Sequence, residues 1–479
     1  MHPRLIAYAL GGIALLVGLS MSTAAIWAAI DGSADLMPLI YSSAVSCAVG
    51  AGLLLVKPKG RFSRKDGFAI VGLGWLVAAS LGALPFYLSG AFVSYTDAFF
   101  ESASGFTTTG ATVLSNIEGL PRGLLFWRSL THWLGGMGII VLSLAVFSIL
   151  NTGMSLYRAE VPGFAHERIL PRLRQTALTL WIIYAALSLT QMVALRIAGL
   201  SFFDSLVHTF GTVATGGFSS RNLSIEAFDS PAVEIIIVVF MVLAGLNFAL
   251  YWQIVQRKGI RAILANAEAR LYLFILAVAS LVVTISLVSS LDMPLGSAIR
   301  RSVFQVVSIN TTTGYSSTDF DAWPALAKGV LLLLMFVGAC TGSTGGAIKV
   351  GRIMLLLGHV RRHLQQTVRP RLVMRTRVGD SVVEDSVVSD VLTFFFIYMA
   401  LFCFGAFVVM ADGEDLVTSL SASAACIGNV GPGLGSVGPA LNYAEMSGAV
   451  KWILSGLMVA GRLELLAVVL LFTPAFWRK

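Results

Sequence analysis

Charged side chains are scarce in this sequence. Asp, Glu, Lys and Arg make up 12% of its 479 residues, and the mean hydropathy is +0.83. A soluble domain carries charge on about a quarter of its residues, so that class is excluded and most of the chain belongs in lipid. Cysteine is scarce as well, with Cys47, Cys340, Cys403 and Cys426 standing singly in apolar segments. Without CxxC spacing neither a disulfide framework nor a zinc site is indicated, and the four read as small buried hydrophobes. The six histidines form no HExxH pair, and His132 and His208 read as packing or interface residues. Nucleotide-binding signals fail on context. Residues 433–438 fit GxGxxG but follow no strand, and residues 342–349 carry phosphate-loop glycines without a Gly-Lys-Ser/Thr sequence. No nucleophile, base and metal-ligand set converges, so the chain is not read as an enzyme and no bound organic cofactor is expected.

Long apolar runs stand in place of these features. Segments of roughly 20 residues, enough to cross a bilayer, recur along the chain, as at residues 5–30, 36–56 and 452–472. The first outlasts a secretory core and ends without a small-residue cleavage site, so it reads as a retained helix. The formal net charge of +8 is not arranged as a nucleic-acid surface. Its basic residues gather between runs: Lys57, Lys59, Arg61, Arg64 and Lys65, then Arg158, Arg168, Arg172 and Arg174, then Arg257, Lys258, Arg261 and Arg270, then residues 352–377. Alternate segments carry acids instead, including Asp31, Asp35, Asp97, Glu101, Glu118, Glu226, Asp229, Asp319, Asp321, Asp412, Glu414 and Asp415. Basic loops stay cytoplasmic, which puts both termini inside a multi-pass protein.

A Gly–Thr–Ser-rich phrase occurs four times. It reads Ser104-Gly-Phe-Thr-Thr-Thr-Gly-Ala-Thr112, Gly211-Thr-Val-Ala-Thr-Gly-Gly-Phe-Ser219, Asn310-Thr-Thr-Thr-Gly-Tyr-Ser316 and Cys426-Ile-Gly-Asn-Val-Gly-Pro-Gly433. Alignment sets Gly110, Gly217, Gly314 and Gly431 at one position, with a period of about one hundred residues. Each phrase follows a membrane-length run and a segment too short to span, at 95–103, 202–210, 295–307 and 416–425. A polar acidic stretch, another long run and a basic loop come after it. Each unit therefore predicts a span, a half-length helix re-entering from outside, a non-helical turn and a returning span. Two leading helices occupy 1–60, and the units occupy 61–160, 161–262, 263–366 and 367–479. Irregular backbone survives at membrane depth only where protein buries it or water bathes it, so the four turns are expected to converge. Helix packing alone would explain one such cluster, but not four with the same flanks.

A cation leaving water needs its hydration shell replaced, and rings of backbone carbonyls do this for potassium. Glycine at the shared position permits the positive φ that turns alternate carbonyls toward an axis. Thr107, Thr108, Thr109, Thr215, Thr311, Thr312, Thr313 and Ser316 offer hydroxyls to the neighbouring backbone.

These phrases and their order resemble, over the whole chain, the TrkH/TrkG branch of the superfamily of potassium transporters. Its relatives include KtrB and the plant and fungal Trk/HKT proteins. The resemblance implies an all-α integral membrane fold: two leading helices plus four helix–pore loop–helix repeats around a pseudo-fourfold, potassium-channel-like pore. It implies a filter for transported K+ built from Thr108, Thr109 and Gly110, from Thr215, Gly216 and Gly217, from Thr312, Thr313 and Gly314, and from Asn429, Val430 and Gly431. In related HKT proteins a serine at the first glycine goes with sodium transport, so Gly110 favours potassium. The fourth loop, Asn429-Val-Gly-Pro432, departs most from a potassium-channel signature. The resemblance further implies a bacterial inner-membrane location, a homodimer and a cytosolic TrkA-like ring binding NAD(H) or ATP, with residues 352–377 as its candidate docking surface. Gated, channel-like potassium uptake is the expected function. A proton- or sodium-coupled secondary transporter is the alternative, and would show inverted repeats.

Residues 338–346 break the run 324–359 with glycines that each cost a helix about 1 kcal/mol relative to alanine. The resemblance implies that Gly342, Ser343, Thr344, Gly345 and Gly346 form an intramembrane gating loop. Lys349 either lines the cytoplasmic vestibule or snorkels to the interface. Arg462 and Glu464 interrupt the run 452–472, where charge is costly and by default functional. Two residues apart on a helix, they cannot simply pair. Arg462 is expected beneath the filter as an electrostatic barrier, like the matching arginine of the resembled family, or else bound to a buried carboxylate. Asp97, Glu101, Asp319 and Asp415 either concentrate cations at the outer mouth or are ordinary solvated charges.

Overall fold

The computed structural model describes residues 1–58, 63–149, 173–254, 261–369, 381–463, 465–471 and 473–477, with residues 256, 259, 377 and 378 between them. Glu464, Lys59, Arg61, Arg158, Arg168, Arg172, Arg257 and Lys258 lie outside the described residues, as do the expected boundaries after residues 60 and 160. Among the described residues the architecture is helical. Its β-structure is a hairpin of Arg377–Val378 with Ser381–Val382 and one isolated bridge between Val337 and Ile348.

Two leading helices, Pro3–Asp31 and Leu36–Leu54, pack on each other, and the Ser43 hydroxyl donates to the Gly18 carbonyl at 2.7 Å. Asp31 and Asp35 fasten this pair to the rest. Arg122 Nε donates to Asp31 Oδ2 at 2.6 Å, and the Leu124 amide donates to the buried Asp35 at 3.1 Å. Among the described residues, six helices are long and apolar enough to cross a membrane by length and composition: Pro3–Asp31, Leu36–Leu54, Lys65–Leu88, Ala177–Ile197, Ala267–Leu291 and Asp385–Ala411. Leu16, Ile182, Leu281 and Phe396 on their outer faces are more than half exposed, so an apolar medium must cover them.

Each of the last four spans leads into a short helix: Tyr95–Phe106, Phe202–Val213, Leu295–Asn310 and Leu416–Ile427. Ser94, Ser201 and Asp415 start three of them by accepting the amides of Asp97, Asp204 and Thr418 at 3.1, 3.0 and 2.8 Å. All four run a little past the expected ends into the glycine phrases. Residues there still find helical acceptors, as when the Thr107 and Thr311 amides reach the Ala103 and Val307 carbonyls at 2.9 Å.

The returning helices depart further from expectation. Arg122–Ile149 is continuous, but Pro231–Ala244 stops and resumes as Phe248–Gln253, whose first turn is capped by Asn247. Ala325–Leu334 is separated from Val350–Val368 by the foreseen glycine break. The run 452–472, expected to be one span, divides into Gly448–Arg462 and Leu466–Leu471. Leu465 takes φ +42 between them, three residues after the buried arginine. Apolar composition records burial and gives no sign of such a break.

One core joins Phe99, Phe100 and Trp127 of the first unit to Val450, Leu454 and Met458 of the fourth, and a second joins Ile237 and Met241 to Tyr272 and Phe304. First and last units therefore meet. The chain ends meet too, with Phe476 packing against Ile6 and Ala69.

Candidate ion site

The four phrases end their short helices in the same way. Amides of Thr108, Thr215, Thr312 and Asn429 return to carbonyls three residues back, at 3.0, 3.0, 3.0 and 3.3 Å. Amides of the following residues, Thr109, Gly216, Thr313 and Val430, return to Ser104, Gly211, Ser308 and Ala425 at 2.9, 2.7, 2.9 and 2.8 Å. Such a double bond pattern is the Schellman motif, whose left-handed residue is usually glycine. Here that residue is Thr108, Thr215, Thr312 or Asn429, with φ of 52, 55, 59 and 54°. A β-branched residue in that conformation is an outlier, costing roughly 1–2 kcal/mol, whereas asparagine tolerates it better. The departure of the fourth loop in sequence thus preserves its backbone.

Two residues later Gly110, Gly217, Gly314 and Gly431 take φ of 83, 80, 80 and 101°. A β-carbon on Gly110 would fall 2.2 Å from the Gly216 carbonyl oxygen, and one on Gly217 would fall 2.0 Å from that of Thr313. On Gly314 it would fall 2.0 Å from the Val430 oxygen, and on Gly431 2.6 Å from that of Thr109. Each turn touches the next in chain order and the fourth touches the first, a closed ring. All four glycines line one cavity of about 110 Å³, with Thr112, Ser219 and Ser316 around it. Thr107 bonds Thr109 through their hydroxyls at 2.8 Å, as Thr311 does Thr313. Asn429 instead donates to the Thr109 hydroxyl at 3.0 Å and to the Met458 carbonyl at 2.9 Å.

Supports that the sequence did not reveal hold three of these turns from behind. Glu101, His208 and Gln305 occupy equivalent positions on the first three short helices. Glu101 is fully buried, taking Arg128 Nε at 2.6 Å, the Thr112 hydroxyl at 2.9 Å and the Val113 amide at 3.1 Å. Arg128 continues to the Ser219 carbonyl at 3.0 Å and lies 3.5 Å over the Phe218 ring. His208 meets the Ser219 hydroxyl at 2.9 Å, and Gln305 donates to the Tyr315 carbonyl at 3.2 Å. Neither expectation for Glu101, a cation-gathering charge or a solvated one, survives. Asp97 pairs with Lys451 at 2.7 Å, while Asp319 and Asp415 cap the amides of Asp321 and Thr418. His132 stacks on Phe218 at 4.0 Å, as a packing residue would. Cys340 and Cys426 are buried as expected, but Cys403 is exposed and Cys47 only half-buried.

Residues 335–349 fold against the inner ends of the short helices. The Gly346 amide donates to the Thr312 hydroxyl at 2.6 Å, and the Thr344 hydroxyl to the Val213 carbonyl at 3.0 Å. A β-carbon on Gly346 would lie 2.4 Å from the Gly428 oxygen. Lys349 Nζ turns back to the Gly345 carbonyl, and Gly342 and Ala347 take positive φ at the bends. Arg462, 2% exposed, donates through Nη1 to the Thr344 carbonyl at 2.7 Å. Its Nε and Nη2 have no hydrogen-bond partner among the described residues, so the alternative of a buried carboxylate partner is not met there. Among the described residues no three His, Cys, Asp or Glu side chains cluster as a metal site. Oxygens of backbone and threonine are what the ring offers, a donor set for a hard cation.

The family of cation transport proteins called TrkH matches residues 38–479. The Trk system potassium uptake protein TrkH of Halomonas elongata is 41% identical over 454 residues, 93% of this chain and 94% of that protein. The TrkH of Escherichia coli (strain K12) is 40% identical over 429 residues, 88% of each, and the TrkG of that strain 34% identical over 484 residues, 100% and 99%. A crystal structure of the potassium transporter TrkH from Vibrio parahaemolyticus superposes with a TM-score of 0.92 at 36% identity, covering 100% of both chains. Sequence and fold agree over nearly the full length, and the chain belongs to the TrkH family of cation transport proteins.

Proposed function

We propose that this chain takes up potassium across a bacterial cytoplasmic membrane through a gated, channel-like pore with a pseudo-fourfold filter. The closed ring of four glycine turns carries this reading, because it gathers carbonyl oxygens of Thr109, Gly216, Thr313 and Val430 from four distant segments. A potassium ion shedding water would exchange its shell for these oxygens and those of the neighbouring Thr108, Thr215, Thr312 and Asn429. The carboxyl ends of the short helices lead into the same ring, where their dipoles favour a cation. Gly110 in the first turn suits potassium over sodium.

Beneath the ring, Gly342, Ser343, Thr344, Gly345 and Gly346 act as the gate, held by Arg462. A guanidinium with two unshared nitrogens repels a cation in the low-dielectric path. The two chain ends face the cytoplasm, and the homodimer works with a cytosolic nucleotide-binding ring of the TrkA kind docking on residues 352–377. Relatives named as Trk system components support a multi-component assembly. The four units follow one another in the same order, which favours the pore over a coupled carrier.

Flux in liposomes with potassium, rubidium and sodium gradients tests the proposal. Potassium and rubidium are expected to pass, and sodium about tenfold or more slowly, a barrier difference of ~1.4 kcal/mol. Equal sodium flux would remove the filter assignment, and strict dependence on a proton gradient would favour the carrier.

A further inference from the structure

The base of the intramembrane loop rests on one buried carboxylate. Glu268 stands in the first turn of the Ala267–Leu291 span and is 2% exposed. Its Oε1 accepts the Thr341 amide at 2.6 Å, the Thr341 hydroxyl at 2.8 Å and the Gly351 amide at 2.8 Å. Thr341 lies where the loop begins, and Gly351 lies in the first turn of Val350–Val368, where the loop has ended. A single oxygen therefore pins both ends. A β-carbon at Gly351 would come within 2.6 Å of the Thr341 hydroxyl and 3.0 Å of Glu268 Oε1, so only glycine lets the helix approach this closely. The crown of the loop has other partners, Thr312, Val213 and Arg462.

Both sides of this contact continue into elements at the same end of the molecule. Asn266, capping the Ala269 amide at 2.9 Å, precedes Glu268 and follows the short helix Arg261–Ala265. Arg352, beside Gly351, lies 4.0 Å over the Phe394 ring of the Asp385–Ala411 span. Movement of Val350–Val368 would thus reach the loop through Gly351.

We propose that Glu268 is a positioning residue that latches the loop closed and couples it to the Val350–Val368 helix; this rests on the gating role proposed above for the loop. Three donors converge on one carboxyl oxygen, so the contact is lost or kept as a unit. Stranding that acceptor in a buried site is costly, so the three bonds release together and the loop has two states, tied and free.

Cys340, in the loop beside Thr341 and 1% exposed, is a native reporter of this state. In a C47S/C403S/C426S background reconstituted in liposomes, N-ethylmaleimide labelling of Cys340 is read by mass spectrometry, with rubidium flux measured on the same vesicles. Glu268→Gln is expected to label about fivefold faster and to pass rubidium about threefold faster, the effect of losing a kcal/mol or so of latching. The potassium-to-sodium ratio is expected to stay unchanged, and Glu268→Asp to fall between the two. Thr341→Val, which removes one donor and keeps the carboxylate, is expected to give a smaller rise and carries the test if Glu268→Gln does not assemble. Unchanged labelling in these variants would overturn the latch whatever the flux. Faster labelling with unchanged flux would support the latch and overturn the gating role of the loop.

Discussion

Gly314 adopts φ +80 with the Val430 carbonyl oxygen where a side chain would go. Gly314→Ala must therefore push one turn out of the ring, and rubidium flux into liposomes is expected to drop at least about tenfold, or ~1.4 kcal/mol. A variant with native flux would show that the ring does not carry the ion. Arg462→Ala removes both the bond to the Thr344 carbonyl and the charge beneath the ring. Flux is expected to rise about tenfold with the same potassium preference; unchanged flux in folded protein would reject the barrier. The glycines were legible in the sequence because residue type records the φ that a turn demands. The left-handed threonines were not, since a β-branched residue argues against that conformation until the surrounding bonds are seen. Glu101 misled for a related reason: its carboxylate says that a partner is needed, and Arg128 becomes that partner only in space. Glu268 stands between the basic residues Arg261 and Arg270 at the start of its span, where an acid is ordinary, so nothing in the sequence marks the latch.

Short helices of similar length deliver each turn to the ring, and their supports differ from unit to unit. The Glu101–Arg128 pair joins the first unit to Ser219 in the glycine phrase of the second. Arg128→Met would strand a buried carboxylate, a cost of about 3–5 kcal/mol. A lowered unfolding temperature in detergent and a weakened preference for potassium over sodium are expected, and E101L/R128M should recover much of the temperature. Native stability in the single variant would mean that the pair is not what holds Glu101. The broken returning helices are the elements that the sequence under-reported. The glycines of residues 338–346 announced one break. Those after Ala244 and Arg462 lie in runs whose composition is still that of a span, and packing decides where they end.

First and fourth units share a core, and the chain's two ends pack together near Ile6. Tags at both termini are accordingly expected on one side of the membrane, both cleaved by protease in inside-out vesicles and both protected in intact cells; cleavage of one alone would contradict this arrangement. Membrane residence, the four spans that lead into the short helices, four recurrent turns and a glycine break were determined by the sequence alone, because hydropathy, charge and glycine content report each residue's own environment and backbone. Which atoms meet was decided only by the tertiary structure. Asn429 reaches Thr109 across a separation of 320 residues, Arg462 finds the Thr344 carbonyl, and one oxygen of Glu268 takes both ends of a loop. A pairing between distant segments leaves no periodicity in either of them, so it becomes visible when the ring has closed.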